Sequence, residues 1–115
     1  MNIRPAVTDD YGKVMEMYND FIGEDRYSRH DGDSFAKVVA SPSNYIYVVE
    51  IEGELVGFAS MSVRNVVRYP KPIAELDELY VAPSHRKHGV GKELMLKIET
   101  TAKEQGCYRV FIESM

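Results

Sequence analysis

The segment that most constrains the fold runs from Ile73 to Glu113. IAELDELYV is a strand-like run closed by Ala82-Pro83, SHRKHGVGKEL is a basic turn with two glycines, and the residues after Val90 return to helical periodicity. In that helix Gly91, Leu94, Met95, Ile98 and Ala102 share a face, whereas Leu96 falls off it. Lys103 and Gly106 mark its end. CYRVFIE, residues 107 to 113, reads as a last strand. Strand, glycine turn, helix and strand in immediate succession require an α/β architecture.

The preceding residues supply the remaining elements. Ile3 to Val7 is a short strand, and Pro5 suits an edge position. Thr8, Asp9 and Asp10 give a helix start with a capping hydroxyl and acids in the first turn. Tyr11, Val14, Met15, Tyr18, Phe21 and Ile22 then recur at helical spacing up to Gly23. A polar loop over 24 to 33 leads to a shorter helix near Ser34 to Val39, with Asp31 and Asp33 as caps. Tyr45 to Ile51 and Leu55 to Val63 form a hairpin about Glu52-Gly53. The expected order is β, α, α, β, β, β, loop, α, β in one domain spanning 1 to 115, a length within the ordinary single-domain range.

Composition narrows the partners. Fourteen Lys and Arg against 18 Asp and Glu give a net charge of -4, a poor match to DNA or RNA. A single cysteine, Cys107, excludes an internal disulfide and suits a reducing compartment. No apolar run resembles a signal peptide or a membrane span, so the expectation is a cytoplasmic protein with no nucleic-acid or membrane partner. His30, His85 and His88 lack metal-ligand spacing, and Asp31 and Asp33 lack the other positions of a calcium loop, so no metal is expected.

The glycine turn fails two phosphate-binding motifs. A Walker A loop would need glycine at Arg86 and a hydroxyl at Glu93, and a dinucleotide fingerprint would need glycine at Leu94. What remains is Arg86-x-x-Gly89-x-Gly91 after a strand and at the start of a helix. Its free amides and helix dipole suit a pyrophosphate, with Arg86, Lys87, His88 and Lys92 adding positive charge. With its flanks, LDELYVAPSHRKHGVGKELMLKIETTAKEQGCYRVFIES resembles the central motif of the GNAT superfamily of acetyl-coenzyme A dependent N-acyltransferases, whose loop is [RQ]-x-x-G-x-[GA]. The element order from Met1 matches the superfamily's first two-thirds.

The resemblance implies a mixed, largely antiparallel sheet with helices on both faces. It implies acetyl-CoA as cosubstrate, with its pyrophosphate on the amides of Lys87, His88, Gly89, Val90, Gly91 and Lys92. The pantetheine arm would pair with Leu79, Tyr80 and Val81 like an added strand, and a backbone N–H near them would polarise the thioester carbonyl. The acceptor that the resemblance implies is a primary amine of a small molecule or peptide, attacking directly. Such an amine is almost entirely protonated at neutral pH, so a base must take its proton. Glu75, Asp77 and Glu78 are candidates. Alternation puts Glu75 and Asp77 on one face and Glu78 on the other unless a bulge intervenes, and the family's base most often stands at Glu75 or Asp77.

The acceptor side would be lined by Tyr11, Tyr18, Tyr27 and the loops 26 to 33 and 64 to 71, although Tyr11 and Tyr18 also suit the core. Acids in the first loop favour a cationic amine, and Arg64, Arg68 and Lys71 an anionic one. Family members usually continue with another helix, carrying an asparagine and a tyrosine that protonates the thiolate, and a hairpin; this sequence stops at Met115. The expectations are therefore a C-terminally truncated domain with no matching general acid, and an exposed last strand with two outcomes: the chain is a fragment of a longer protein, or the strand pairs with a second copy as a homodimer. A truncated coenzyme A binding module without turnover is the alternative.

Overall fold

A computed structural model of the chain describes residues 1–23 and 32–112. Five strands form one sheet in the order β1 (Asn2–Pro5), β2 (Asn44–Ile51), β3 (Glu54–Arg64), β4 (Ile73–Val81) and β5 (Val110–Ile112). The first three pairings are antiparallel and β4 with β5 is parallel, so the sheet is mixed and largely antiparallel. Parallel neighbours need a crossover, which the helix α3 (Val90–Glu104) supplies. Pro5 lies in the edge strand β1, where its missing N–H costs no ladder bond.

Two apolar layers cover the sheet. Leu94, Ile98 and Val90 of α3 pack on Val49, Ala59, Met61 and Ala74 on one face. On the other, Val14 and Met17 of α1 (Tyr11–Ile22) and Phe35 of α2 (Gly32–Ala40) pack on Val48, Phe58 and Tyr80. Leu94 and Ile98 are wholly buried and Leu96 is exposed, as the stripe requires. The β2–β3 hairpin turns on Glu52 (φ 53°) and Gly53 (φ 78°), two left-handed residues whose twist matches the flanking strands.

Three local details differ from the sequence expectation. The first helix begins as a 3-10 turn, Thr8–Asp10, and no threonine hydroxyl caps it. Instead the Asp10 carboxylate accepts the Val7 N–H at 2.8 Å and is held by Arg4, which also pairs with Glu50. Arg4 keeps the buried Asp10 carboxyl below the usual carboxylate range. A second 3-10 turn, Pro83–His85, shapes the approach to the basic loop. Finally, β5 starts at Val110, because the Cys107 N–H bonds Ala102 O of α3 and the Tyr108 N–H bonds Pro72 O before the chain reaches β4.

Candidate functional site

β4 is paired on both sides along only part of its length. β5 meets it at Ala74, Glu75 and Leu76, whereas β3 follows it to Val81. The Ala82 N–H bonds Val56 O of β3, so by alternation the backbone N–H and C=O groups of Val81 and Leu79 face away from β3. They line the gap that β5 leaves open, and Arg86 Nε donates to Val81 O there at 2.9 Å. Tyr80 has the opposite phase: its backbone faces β3, and its buried side chain reaches α1, where the hydroxyl donates to Asp20. Burial, with Asp20 adding to it, pushes the Tyr80 phenol up to about 12.

The basic loop lies at the end of this gap. Lys87 (φ 66°) and Gly89 (φ 84°) are left-handed and fold the chain tightly into α3. The Glu93 N–H is bonded to Gly89 O at 3.0 Å, which leaves the N–H groups of Val90, Gly91 and Lys92 without intrahelical acceptors, and no side chain caps them. Arg86, Lys87, His88 and Lys92 are exposed around these amides. Free amides, the positive helix end and exposed cations are an arrangement that suits a small polyanion.

On the α1–α2 face a cavity of about 480 Å³ opens beside the middle of β4. A bulge determines what enters it. Ser60 of β3 faces Glu78 and Met61 faces Leu76, so Asp77 is the extra residue of a bulge in β4. Alternation is broken there, and Asp77 and Glu78 both line the cavity. The Glu78 carboxylate accepts hydrogen bonds from Ser60 Oγ and from Tyr18. Burial raises its proton affinity above the ordinary carboxylate range, Tyr18 opposes the rise, and the charge of Asp77 adds to it. Such a carboxylate is a stronger base than an exposed one.

Glu75 stands off the cavity, 3.4 Å from Arg64 in an ion pair on the open sheet face. Tyr11 and Tyr18 line the cavity as well as pack the second core layer. Tyr27 and the loop 26 to 31 lie outside the described residues. Glu78 is one of the three candidate acids of the sequence, and the bulge fixes the face to which it belongs; Ser60 and the wall formed by Phe35, Tyr45 and Phe58 gave no separate sequence signal. Among the described residues no group of three potential ligands could hold a metal, and no helix is long and apolar enough to cross a membrane.

A family model described as acetyltransferase (GNAT) matches residues 12–115. The chain is 30% identical over 110 residues to the aminoglycoside N(6')-acetyltransferase type 1 of Klebsiella aerogenes, covering 91% of this chain and 72% of that one. It is 25% identical over 104 residues to the aminoalkylphosphonate N-acetyltransferase of Salmonella typhimurium, covering 90% and 68%. Its fold superposes on a putative acetyltransferase from Agrobacterium tumefaciens with a TM-score of 0.90 at 24% identity, covering all of this chain and 82% of the other. An aminoglycoside and an aminoalkylphosphonate share little beyond the amine, so these relatives agree on the reaction type and not on the acceptor. A matched family model over nine-tenths of the sequence, and a sheet that opens beside a glycine loop, lead to one conclusion: the chain belongs to the GNAT family of acetyltransferases.

Proposed function

We propose that the protein transfers the acetyl group of acetyl-CoA to a primary amine by direct attack. The observation that carries this reading is the meeting of two openings at Asp77 to Leu79: the β4–β5 gap with its basic loop, and the carboxylate cavity on the α1–α2 face. Acetyl-CoA supplies an activated thioester. The amides of Lys87 to Lys92 bind its pyrophosphate, Arg86 and Lys87 neutralise part of the charge, and the outward backbone of Leu79 and Val81 pairs with the pantetheine arm. The Leu79 N–H donates to the thioester oxygen as negative charge develops there.

Glu78 takes the proton of the ammonium, with Asp77 beside it holding the cation. The freed lone pair attacks the carbonyl carbon, a C–N bond forms, and the C–S bond breaks with its electrons on sulfur; the nitrogen sheds its second proton, which passes through a water molecule to the thiolate, and Glu78 later releases its own proton to solvent. The apolar walls keep bulk water from the thioester. Glu75, paired with Arg64, has no role in these steps. We also propose that β5 pairs with a second copy.

The test combines thermal unfolding with a thiol-release assay. Coenzyme A should raise the Tm, and acetyl-CoA should release free thiol in the presence of an accepted amine. Stabilisation without thiol release from a broad amine panel would leave only a binding module; an unchanged Tm would remove the cradle itself.

A further inference from the structure

The walls of the cavity hold information about the acceptor that the family does not. We infer that the acceptor is a cationic primary amine carried on a compact apolar body, an arylalkylamine or a branched alkylamine, rather than an amino sugar or a phosphorylated amine. This inference rests on the acetyl-transfer reading above and specifies its acceptor.

Tyr11, Tyr18, Phe35, Tyr45 and Phe58 contribute five aromatic rings, and Val14, Met15, Val38, Ile46 and Met61 fill the intervals between them. The rings form two pairs, Tyr11 with Phe35 at 5.8 Å and Tyr18 with Phe58 at 5.2 Å between centroids. The polar groups are Ser34, Asn44 and Ser60, the hydroxyls of Tyr11, Tyr18 and Tyr45, and the two carboxylates of Asp77 and Glu78. No Lys, Arg or His lines the cavity among the described residues. Its one concentration of charge is negative and lies at the β4 bulge, where the amine must present its nitrogen.

Each acceptor class meets these walls differently. An ammonium is attracted to the carboxylates, and its apolar body gains contact with rings that would otherwise face water. A polyhydroxylated amine would bury several hydroxyls against aromatic and aliphatic carbon; Ser60 and Tyr18 are already bonded to Glu78, which leaves Ser34, Asn44 and the hydroxyls of Tyr11 and Tyr45 to pair them, and each hydroxyl left unpaired weakens binding. A phosphate would be placed near two carboxylates with no described cation to meet it. Size points the same way, since 480 Å³ lies in the lower half of the range for small-molecule sites and suits one ring better than several.

The experiment compares 2-phenylethylamine with glucosamine, 2-aminoethylphosphonate and kanamycin by acetyl-CoA dependent thiol release. A kcat/KM at least about tenfold higher for 2-phenylethylamine is expected. A higher value for the sugar, phosphonate or aminoglycoside amine would overturn the inference and leave acetyl transfer standing. If no amine releases thiol, the acetyl-transfer reading fails by itself, and calorimetry without acetyl-CoA still decides the cavity's preference. There 2-phenylethylamine should bind at least about tenfold tighter than phenylacetate, and equal or reversed affinity overturns the inference. Val38 lies on α2 at the cavity mouth and is 38% exposed, so substitution there leaves the core intact. Val38→Lys should weaken amine binding several-fold and Val38→Glu should keep or strengthen it; equal losses in both variants would show that charge does not select the ligand.

Discussion

Glu78 combines two properties that oppose each other, since the burial that makes it a stronger base also destabilises the fold when it is ionised. A carboxyl with raised proton affinity in the folded state contributes stability that is fully present below its ordinary unfolded value and is lost as pH rises through the folded one. Near neutral pH the ionised Glu78 is therefore a net cost. Glu78→Gln keeps the shape and still accepts from Ser60 and Tyr18, so it should raise the Tm near pH 7 by a few degrees. That advantage should shrink as pH falls toward the ordinary carboxylate range. The same substitution should lower kcat/KM by about 10²- to 10⁴-fold, the usual worth of a positioned base. Asp77→Asn should cost less than about tenfold. Denaturation curves across pH and steady-state rates measure both effects, and a Gln variant that is both active and no more stable would remove Glu78 from the proposed role.

The tight turn at Gly89 and the helix after it were legible because glycine has a physical signature in sequence. The run Arg86-x-x-Gly89-x-Gly91 before a helical stripe announced a tight strand-to-helix turn, and the bounds of β4 followed from its alternation and the closing Ala82-Pro83. The β4 bulge was not legible. An extra residue in one strand shows only against the neighbouring strand, and nothing in IAELDELYV marks Asp77 rather than Leu76 or Glu78 as the bulge residue. That single uncertainty decided which acid enters the cavity. The two glycines also differ in what they do. Gly89 is at φ 84°, where a side chain is strained, whereas a Cβ on Gly91 would meet only Val81 Cγ2 at an ordinary 3.8 Å. Gly89→Ala should thus lose about 1–2 kcal/mol of stability and weaken coenzyme A binding. Gly91→Ala, inside α3, should gain up to about 1 kcal/mol from helix propensity with affinity kept. Urea midpoints and coenzyme A titrations of the pair provide the comparison, and losses of equal size would show that the loop conformation is not what matters.

Among the described residues the sheet has two unlike edges. β1 is closed off by Pro5, which has no N–H to offer, and by the Arg4–Glu50 and Arg4–Asp10 pairs. β5 has no such protection on its outer side among the described residues. Its ladder with β4 is three residues long, Ile112 is 63% exposed, and Tyr108 beside it is 45% exposed. A strand in that state gains most from a further partner, because one more neighbour covers apolar side chains and pairs a row of backbone groups together. Pairing of β5 with β5 of a second copy meets both needs with a single self-complementary patch. The isolated chain should then run at twice its monomer mass in light scattering at tens of micromolar, with a Tm that rises with protein concentration. Ile112→Lys places a charge on the exposed edge without touching either core layer, and should halve that mass while leaving coenzyme A binding unchanged. A wild-type monomer whose Tm is independent of concentration would show that the β5 edge is stable in water alone, and that the gap beside β4 does not depend on a second copy.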